Sequence, residues 1–352
     1  PRLRKSIIYL DQFFLSHAFR ERQKDFIKAA ARIKNLAHKQ LVVSPWSSVH
    51  EFETHLWRHS SQADLWKFIK QSARGHKYSN SHRIKSVQIQ RAFDSFVKGD
   101  EPKLIDPRDS FHRNIHKWDD YYWIDVGRFT DDSERIRKGK EEAIASLVDL
   151  FDEWAASKNT LEQDVIEEAN GYARTLEQLY MQSIKAFIQG SVHDYLNAPA
   201  DSNILQVLML RDSETLSYEE RMKRIGAFHY SDSFRSTPNI DISCRLYAVL
   251  RQRVRDGQFA NREKAKEKLA GIFYDVDAIS IYGPYSDAIF IDRSMHEWLK
   301  QEGSQIGDKY SFQIFSAKNW EEFYAYLDEI EKNCSEEIRS MLPVVYPPAK
   351  LT

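Results

Sequence analysis

The sequence predicts an α/β fold: a central parallel sheet formed by both ends of the chain, with a large helical insertion between them. Strand-like segments occur almost entirely near the termini, as short continuous apolar runs typical of parallel sheets covered on both faces. Helical patterns alternate with these runs, which indicates strand–helix–strand units with right-handed crossovers. The middle of the chain instead has apolar residues at helical spacing and few strand signals, which predicts amphipathic helices.

Each predicted element follows from a local pattern. The apolar runs SIIYL, LVV, DAIFI and SFQIF are typical of strands. Strands are predicted at 6–10, 41–43, 287–291 and 311–315. Helices are predicted at 13–37, 47–59, 141–158, 160–196, 241–256, 293–301 and 319–333, and Gly257 is expected to end the helix before it. The layout predicts a discontinuous α/β domain (1–60 and 268–340), a helical insertion (61–267) and a C-terminal tail (341–352).

The composition narrows the class of protein. The chain has 352 residues, 42% of them hydrophobic, and its 51 Lys+Arg nearly balance its 52 Asp+Glu, so net charge indicates no particular partner. Two cysteines, Cys244 and Cys334, are too few for a disulfide scaffold and fit a reducing compartment. No apolar run reaches the ~20 residues of a membrane span, and Asp11 interrupts the apolar N-terminal run, so neither a membrane segment nor a signal peptide is predicted. We expect a cytoplasmic protein.

Two aspartates stand where predicted strands end. Asp11 follows IIYL and Asp292 follows AIFI, and a helix is predicted after each. Ligands gather at the carboxyl ends of parallel strands, and two carboxylates on adjacent strands cannot both stay ionised unless a cation lies between them. Oxygen ligands of this kind favour Mg²⁺ or Mn²⁺. The alternative interpretation is that each aspartate is a helix N-cap.

Two further acids are candidates because of their positions on predicted helices. Glu53 falls inside the apolar stripe of the 47–59 helix, which Ser47 can cap, whereas Glu51 falls on the opposite, solvated face. In GIFYDVDAISIYGPY, Asp275 flanks the stripe of a short helix starting near it, and Asp277 points away and is the reserve candidate. An acid that favours a helix start through the macrodipole is the alternative for Asp275.

Basic residues concentrate in an acid-free stretch between Leu65 and Phe93. Such a stretch can neutralise phosphates, and aromatic residues among the charges can stack on bases; the alternative is a solvated helix face. The candidate nucleic-acid-binding residues are Lys67, Lys70, Arg74, Lys77, Arg83, Lys85 and Arg91. A second cluster comprises Arg245, Arg251, Arg253 and Arg255. The polar segment 75–83 is predicted to be a mobile loop.

Other patterns in the sequence are weaker. The pairs His55/His59 and His112/His116 have a spacing that can hold zinc on a helix, but no third ligand is evident nearby. The aromatic and acidic segment 118–129 is expected to pack within the insertion. No phosphate-binding glycine loop or dinucleotide fingerprint occurs.

Three segments resemble the signature regions of PIN-domain nucleases, above all the large prokaryotic PIN-like proteins with a helical insertion. They are IIYLDQ, SPWSSVHEFET and DVDAISIYGPYSDAIFIDRSM. The resemblance implies an α/β/α sandwich around a parallel sheet and an acidic site that binds Mg²⁺ or Mn²⁺ and cleaves RNA, less often DNA. It assigns that site to Asp11, Glu53, Asp275 and Asp292, which match the family's acids in order.

Asp287 and the helical insertion differ from the four matched acids in what the resemblance implies for them. Asp287 matches an aspartate often found before the last of these strands, but it lies ~16 Å along an extended chain from Asp292, so a structural role is expected for it. The insertion at 61–267 has no counterpart in the compact members of the family.

The resemblance implies a divalent-metal-dependent nuclease, most simply an endoribonuclease. Two alternatives are kept: a non-catalytic or regulatory module that binds nucleic acid or protein, and a metal-independent ribonuclease. For the latter, Arg224 and His229 fit the Arg-x₄-His pattern of the HEPN ribonucleases. Nucleic acid is the expected partner, RNA before DNA, with a protein inhibitor or a second copy of the chain as further candidates and no membrane.

Overall fold

The computed structural model describes residues 2–50, 59–101, 103–111, 113–118, 133–196, 198–212, 215–301 and 305–346. The chain divides into two compact units. Unit 1 comprises 1–79, 110–139 and 282–352, and unit 2 comprises 80–109 and 140–281. The protein is mostly helical (69%) with a small four-stranded parallel sheet, which confirms the coarse α/β class. Unit 1 thus includes 61–79 and 110–139, and unit 2 includes 268–281, so the units follow other boundaries than the predicted domains.

The sheet of unit 1 has the strand order β2-β1-β3-β4, and all its neighbours are parallel. Its strands are β1 (Ser6–Leu10), β2 (Val42–Val43), β3 (Ala288–Phe290) and β4 (Gln313–Phe315). All four predicted strands are therefore present, each at or inside its expected bounds. Strand β3 is buried throughout, and so are the last four residues of β1, as expected of a parallel sheet covered on both faces.

The helices of unit 1 pack against this sheet. They are α1 (Gln12–Phe19), α2 (Lys24–His38), α3 (His59–Ala73), α16 (Arg293–Lys300), α17 (Ile306–Tyr310), α18 (Trp320–Lys332) and α19 (Glu336–Val345). Helix α19 runs into the predicted C-terminal tail. Phe290 of β3 lies at the centre of the core, with its ring centroid 5.0 Å from Phe14, 4.9 Å from Trp320 and 5.0 Å from Phe323.

The single helix predicted over 13–37 is wrong, because the chain breaks between α1 and α2. Arg22 adopts a left-handed backbone conformation with φ of 55°, and the amide of Gln23 bonds back to the carbonyl of His17 at 2.9 Å. The helix predicted at 47–59 begins at residue 48, where Ser47 Oγ accepts the amide of His50 at 3.3 Å. Residues 51–58 lie outside the described part of the chain.

Unit 2 is built from helices in the described residues. The helices that lie wholly or mainly in it are α4 (Ser81–Lys98), α5 (Pro107–Ser110), α6 (Ser133–Asp149), α7 (Phe151–Ala156), α8 (Leu161–Ile188), α9 (Val192–Leu196), α10 (Ile204–Arg211), α11 (Tyr218–His229), α12 (Asp232–Arg235), α13 (Pro238–Arg255), α14 (Arg262–Lys268) and α15 (Ile272–Tyr282). Helix α13 ends as predicted: Gly257 has φ of 76°, a conformation that glycine adopts without a steric penalty.

The second arginine cluster serves the packing of α13 on α8. Arg255 donates to the carboxylate of Asp164 at 2.5 Å, and Arg251 bonds Glu167 at 2.8 Å. Arg245 bonds Glu162 at 2.8 Å. The guanidinium groups of Arg245, Arg251 and Arg255 are thus engaged by acids of α8 within unit 2, which favours a structural role for them over phosphate binding. Sequence spacing could not reveal this, because the acids lie about 80 residues or more away in the chain.

Loss of the Asp164 carboxylate should destabilise unit 2. The side chain is fully buried, so Asp164→Ala leaves the Arg255 and Arg251 guanidinium groups without a buried counter-charge, which typically costs about 3–5 kcal/mol. Urea unfolding followed by helical circular dichroism measures the change. Glu219→Ala is the control, because Glu219 pairs with Lys223 on an exposed surface and should change stability little. Equal midpoints for the two variants would contradict the structural role.

Candidate functional site

The carboxyl edge of the sheet brings two of the predicted acids onto neighbouring strands. Asp11 follows β1 and Asp292 lies two residues beyond β3, and these strands pair directly through Leu10 and Phe290. The amide of Asp11 continues that pairing by donating to the carbonyl of Phe290 at 2.9 Å. Both aspartates therefore lie at the same edge of unit 1, where parallel-sheet proteins bind ligands.

Asp292 caps α16 with only one of its two oxygens. Its Oδ1 accepts the amides of Ser294 at 2.5 Å and Met295 at 3.1 Å. No hydrogen bond to Oδ2 is present among the described residues. Burial raises the pKa of this carboxyl, although the two amides oppose the shift, and the nearby charge of Glu297 adds to it. The carboxylate is thus held where its negative charge is poorly solvated.

Asp11 is more deeply buried, at 5% exposure. Its Oδ2 accepts the amide of Phe13 at 3.2 Å, which makes it the N-cap of α1. Both predicted metal ligands therefore also act as helix caps, as the alternative interpretation expected. A carboxylate has lone pairs on two oxygens, so capping leaves room for further ligation.

His50 anchors the end of β1 and was missed by the sequence analysis. Its Nε2 lies 2.6 Å from the carbonyl oxygen of Leu10, and its Nδ1 accepts the amide of Ser47 at 3.2 Å. Burial lowers the pKa of His50 to about 4, so the ring is neutral at pH 7 and carries its proton on Nε2, because a carbonyl can only accept. The one available signal was its place three residues before Glu53.

Aromatic rings surround His50 within unit 1. The ring stacks between Tyr9 and Trp46, at centroid distances of 5.0 Å and 4.8 Å. Tyr9 in turn stacks on Tyr282 at 5.6 Å, and the hydroxyl of Tyr282 lies 2.9 Å from Ser48 Oγ. This packing fixes the start of the segment that carries Glu53 against the end of β1.

Gln12, the first residue of α1, was also missed. It is 8% exposed, and both atoms of its carboxamide, Oε1 and Nε2, are shielded from solvent without a hydrogen-bond partner among the described residues. Its only sequence signal was a glutamine placed directly after the strand-end aspartate.

Of the other four predicted acids near this site, two are not described by the structure and two belong to unit 2. Glu53 and the lower-ranked Glu51 are outside the described residues. Asp275 lies in the first turn of α15 in unit 2. Asp277, also in unit 2, forms an ion pair with Lys85 at 2.9 Å. The carboxylate of this reserve candidate is therefore already paired with a lysine.

Asp287 is at the opposite, amino edge of the sheet. Its Oδ2 accepts the amide of Ile7 at 2.7 Å, and its Oδ1 accepts from the guanidinium of Arg4 at 3.2 Å. These contacts join the start of β3 to β1, which is a structural role.

The basic residues of the acid-free stretch belong partly to unit 1 and partly to unit 2, and they differ in solvent exposure and in their partners. Lys67 and Lys77 of unit 1 and Arg83 of unit 2 are exposed, and Lys70 and Arg74 are half-buried. The Arg74 guanidinium lies over the ring of Tyr346 at 5.6 Å. Lys85 pairs with Asp277, and Arg91 pairs with Asp109 at 2.8 Å. The stretch contains no acids, but acids from distant segments engage these last two residues.

The segment 75–83 is not the mobile loop that its polar composition predicted. Tyr78 and Ser79 are buried, and Tyr78 donates its amide to the carbonyl of Trp46 at 2.8 Å while its hydroxyl lies 2.8 Å from Ser286 Oγ. The segment is therefore packed into unit 1 through residues 76–79, and the loop prediction failed because its bonding partners are far away in sequence.

The rival histidine signals find no matching site. His116 accepts the amide of Lys5 on Nδ1 at 3.2 Å, while His55 and His112 lie outside the described residues. The side chain of His229 is fully buried, 3.3 Å from Glu177, and burial lowers its pKa. Arg224 is bonded to Asp212 at 2.8 Å. A fully buried histidine cannot contact a phosphodiester. This disfavours the interpretation of the protein as a metal-independent ribonuclease that uses His229.

Within the described residues, no group of three or more His, Cys, Asp or Glu side chains is arranged to hold a metal ion. Asp11 and Asp292 nonetheless offer the hard oxygen donors that Mg²⁺ and Mn²⁺ prefer. The half-buried, partly capped carboxylate of Asp292 fits a cation, since a positive charge would offset its poor solvation.

Comparisons of the chain with protein-family models, with curated proteins and with solved structures find no match. No helix in the described ranges combines the length and apolar character that a membrane span requires.

Asp292→Asn should raise the melting temperature of the metal-free protein at neutral pH. Asparagine can still cap α16, while the charge that burial disfavours is removed. Because burial raises the pKa of Asp292 above its unfolded value, the wild type loses stability as pH rises from the unfolded pKa through the folded one. The gain in melting temperature of Asp292→Asn over the wild type should be absent below the unfolded pKa of Asp292 and complete above its folded pKa. Thermal unfolding in EDTA over a pH series measures it.

Asp201→Asn is the matched contrast for that measurement. The hydrogen bond from His82, at 2.8 Å, lowers the pKa of Asp201, so this carboxylate contributes stability above its unfolded pKa, and the variant should melt lower than the wild type. If Asp292→Asn and Asp201→Asn changed the melting temperature in the same direction at neutral pH, the opposite pKa shifts of these two carboxyls would be contradicted.

Proposed function

We propose that unit 1 is the catalytic domain of a divalent-metal-dependent nuclease of the PIN-like type, most simply an endoribonuclease. The observation that carries the proposal is the placement of Asp11 and Asp292 at the carboxyl ends of two directly paired parallel strands. A structural cap alone gives no reason to bury the Asp11 side chain and to half-bury that of Asp292, since an exposed aspartate caps equally well.

The two aspartates are proposed as ligands of Mg²⁺ or Mn²⁺, and Glu53 as the third acid. A bound cation of this kind supplies a water of lowered pKa and offsets negative charge on the scissile phosphate. Asp292 holds Oδ1 on the α16 amides, which fixes the direction of Oδ2. His50 holds the carbonyl of Leu10 and so fixes the backbone from which Asp11 projects.

Asp275 is carried into the proposal by resemblance alone. It belongs to unit 2, whereas Asp11, His50 and Asp292 all belong to unit 1. The PIN-like α/β/α sandwich is likewise proposed, supported by the strand order β2-β1-β3-β4 and by strands whose two faces are both buried.

A non-catalytic binding module is the second candidate, favoured by the capping role of both aspartates. In that case the acids would contribute helix stability only, and cation binding at the carboxyl edge would be absent. The two candidates therefore differ in a property that does not require knowledge of the substrate.

Asp11→Asn should abolish Mn²⁺-dependent cleavage of single-stranded RNA while keeping the fold. Asparagine retains the cap on Phe13 but removes the anionic ligand. Cleavage of a labelled RNA by wild type and variant is compared with Mn²⁺ and with EDTA, alongside their thermal unfolding. Equal cleavage by both proteins would overturn the proposal, and cleavage in EDTA would instead support the metal-independent ribonuclease with Arg224 and His229.

RNA binding should depend on the exposed Lys67 rather than on a lysine that is engaged by an acid. Lys67→Gln should weaken binding and reduce the slope of log affinity against log salt by about 0.7. Fluorescence anisotropy in EDTA at several salt concentrations measures both. Lys85→Gln is the control, because this lysine is already paired with Asp277. A larger loss of RNA affinity in Lys85→Gln would show that RNA binds at a different surface.

A further inference from the structure

Two buried glutamines of unit 1 share one unusual property. Gln12 is 8% exposed and Gln40 is 0% exposed. In each, both carboxamide atoms are shielded from solvent and have no hydrogen-bond partner within the described residues. Burying an amide without hydrogen-bond partners destabilises the folded state, so each position would be more stable with an apolar side chain of similar shape.

The two glutamines lie at opposite edges of the sheet. Gln12 begins α1, directly after Asp11 at the carboxyl edge. Gln40 precedes β2 at the amino edge, where Ser6 pairs with Val42. The five-residue strand β1 separates these edges by about 17 Å. One glutamine thus adjoins the proposed site, and the other, equally buried, does not.

Folding gives no reason for the carboxamide of Gln12. The helix cap at this end is supplied by Asp11, whose Oδ2 bonds the amide of Phe13. Leucine or methionine at position 12 would fill the same space without an unpaired donor and acceptor. A buried polar group that costs stability beside a ligand-binding edge is the pattern expected of a functional residue.

We propose that Gln12 belongs to the ligand site at the carboxyl edge and supplies its carboxamide oxygen to the cation, directly or through a bound water. This inference rests on the proposed function of that site. Mg²⁺ and Mn²⁺ accept amide oxygens as well as carboxylates. A neutral ligand adds coordination without adding repulsion between Asp11 and Asp292, whose two charges already match that of the cation. The Nε2 group remains able to donate to a phosphate oxygen.

The test uses Gln12→Met and Gln40→Met in the full chain, with Mn²⁺ as the probe. Methionine has nearly the shape of glutamine and lacks its polar pair. In EDTA both variants should melt higher than the wild type, because each loses an unpaired amide. On titration with Mn²⁺, followed by the rise in melting temperature, Gln40→Met should behave as the wild type. Gln12→Met should require about tenfold more Mn²⁺, the lower end of the loss found when a residue supporting a metal site is removed.

Each outcome decides a separate point. A Mn²⁺ response in Gln12→Met equal to that of the wild type would overturn the role of Gln12 and leave the proposed nuclease site standing. Equal weakening in Gln12→Met and Gln40→Met would also overturn it, because the effect would then be general to unit 1. A wild type without any Mn²⁺ response would overturn both this role and the metal site.

A second variant covers the case in which Gln12→Met does not fold. Gln12→Glu keeps the length of the side chain and replaces the amide oxygen by an anionic one. If that oxygen faces the cation, Gln12→Glu should melt lower than the wild type in EDTA, from repulsion by Asp11 and Asp292, and should show a larger rise with Mn²⁺. A smaller or equal rise would overturn the proposal.

Discussion

The parallel pairing of β1 with β3 is the constraint on which the rest of unit 1 depends. It joins residues about 280 positions apart, with Ile8 opposite Ala288 and Leu10 opposite Phe290. Asp287 fixes this register from both sides, because its amide donates to Ile7 and its carboxylate accepts from Ile7. A one-residue slip would turn Tyr9 and Ile8 to the wrong faces. The same register brings Asp11 to the end of β3.

Polar groups at the carboxyl edge are held at a cost in stability. Asp292 has a carboxyl whose pKa burial raises, and Gln12 has an unpaired carboxamide, while His50 must remain neutral to occupy its place between Tyr9 and Trp46. At the amino edge, by contrast, both carboxylate oxygens of Asp287 accept hydrogen bonds, one from the amide of Ile7 and one from the guanidinium of Arg4. An unpaired carboxamide also occurs at the amino edge, in Gln40. The proposed ligand site therefore depends on the placement of Asp11 and Asp292 at the ends of paired strands, and not on costly polar groups alone.

Local patterns predicted the strands and caps, and failed wherever the deciding partner was distant. The runs ending at Leu10 and Phe290 are apolar enough to identify the sheet, and its parallel arrangement followed from the alternation with helices. The break at Arg22 has no glycine or proline to signal it. Tyr78 looked like part of a loop because Trp46 and Ser286, which bind it, are far away in the chain. The partners of charged side chains were the hardest to predict from the sequence. Arg255, for example, pairs with Asp164, which lies 91 residues away in the chain.

Capping and metal binding are compatible uses of the same aspartate, and the geometry of Asp292 shows why. Two amides of α16 bind a single oxygen, Oδ1, so the cap sets the orientation of the carboxylate and leaves Oδ2 outside the helix. Serine or threonine would cap the helix as well but would offer no second, anionic oxygen. Asparagine would offer a second group, but a donor of hydrogen bonds rather than an acceptor. Aspartate is therefore the one common cap residue that anchors itself on a helix and still presents an oxygen to a cation.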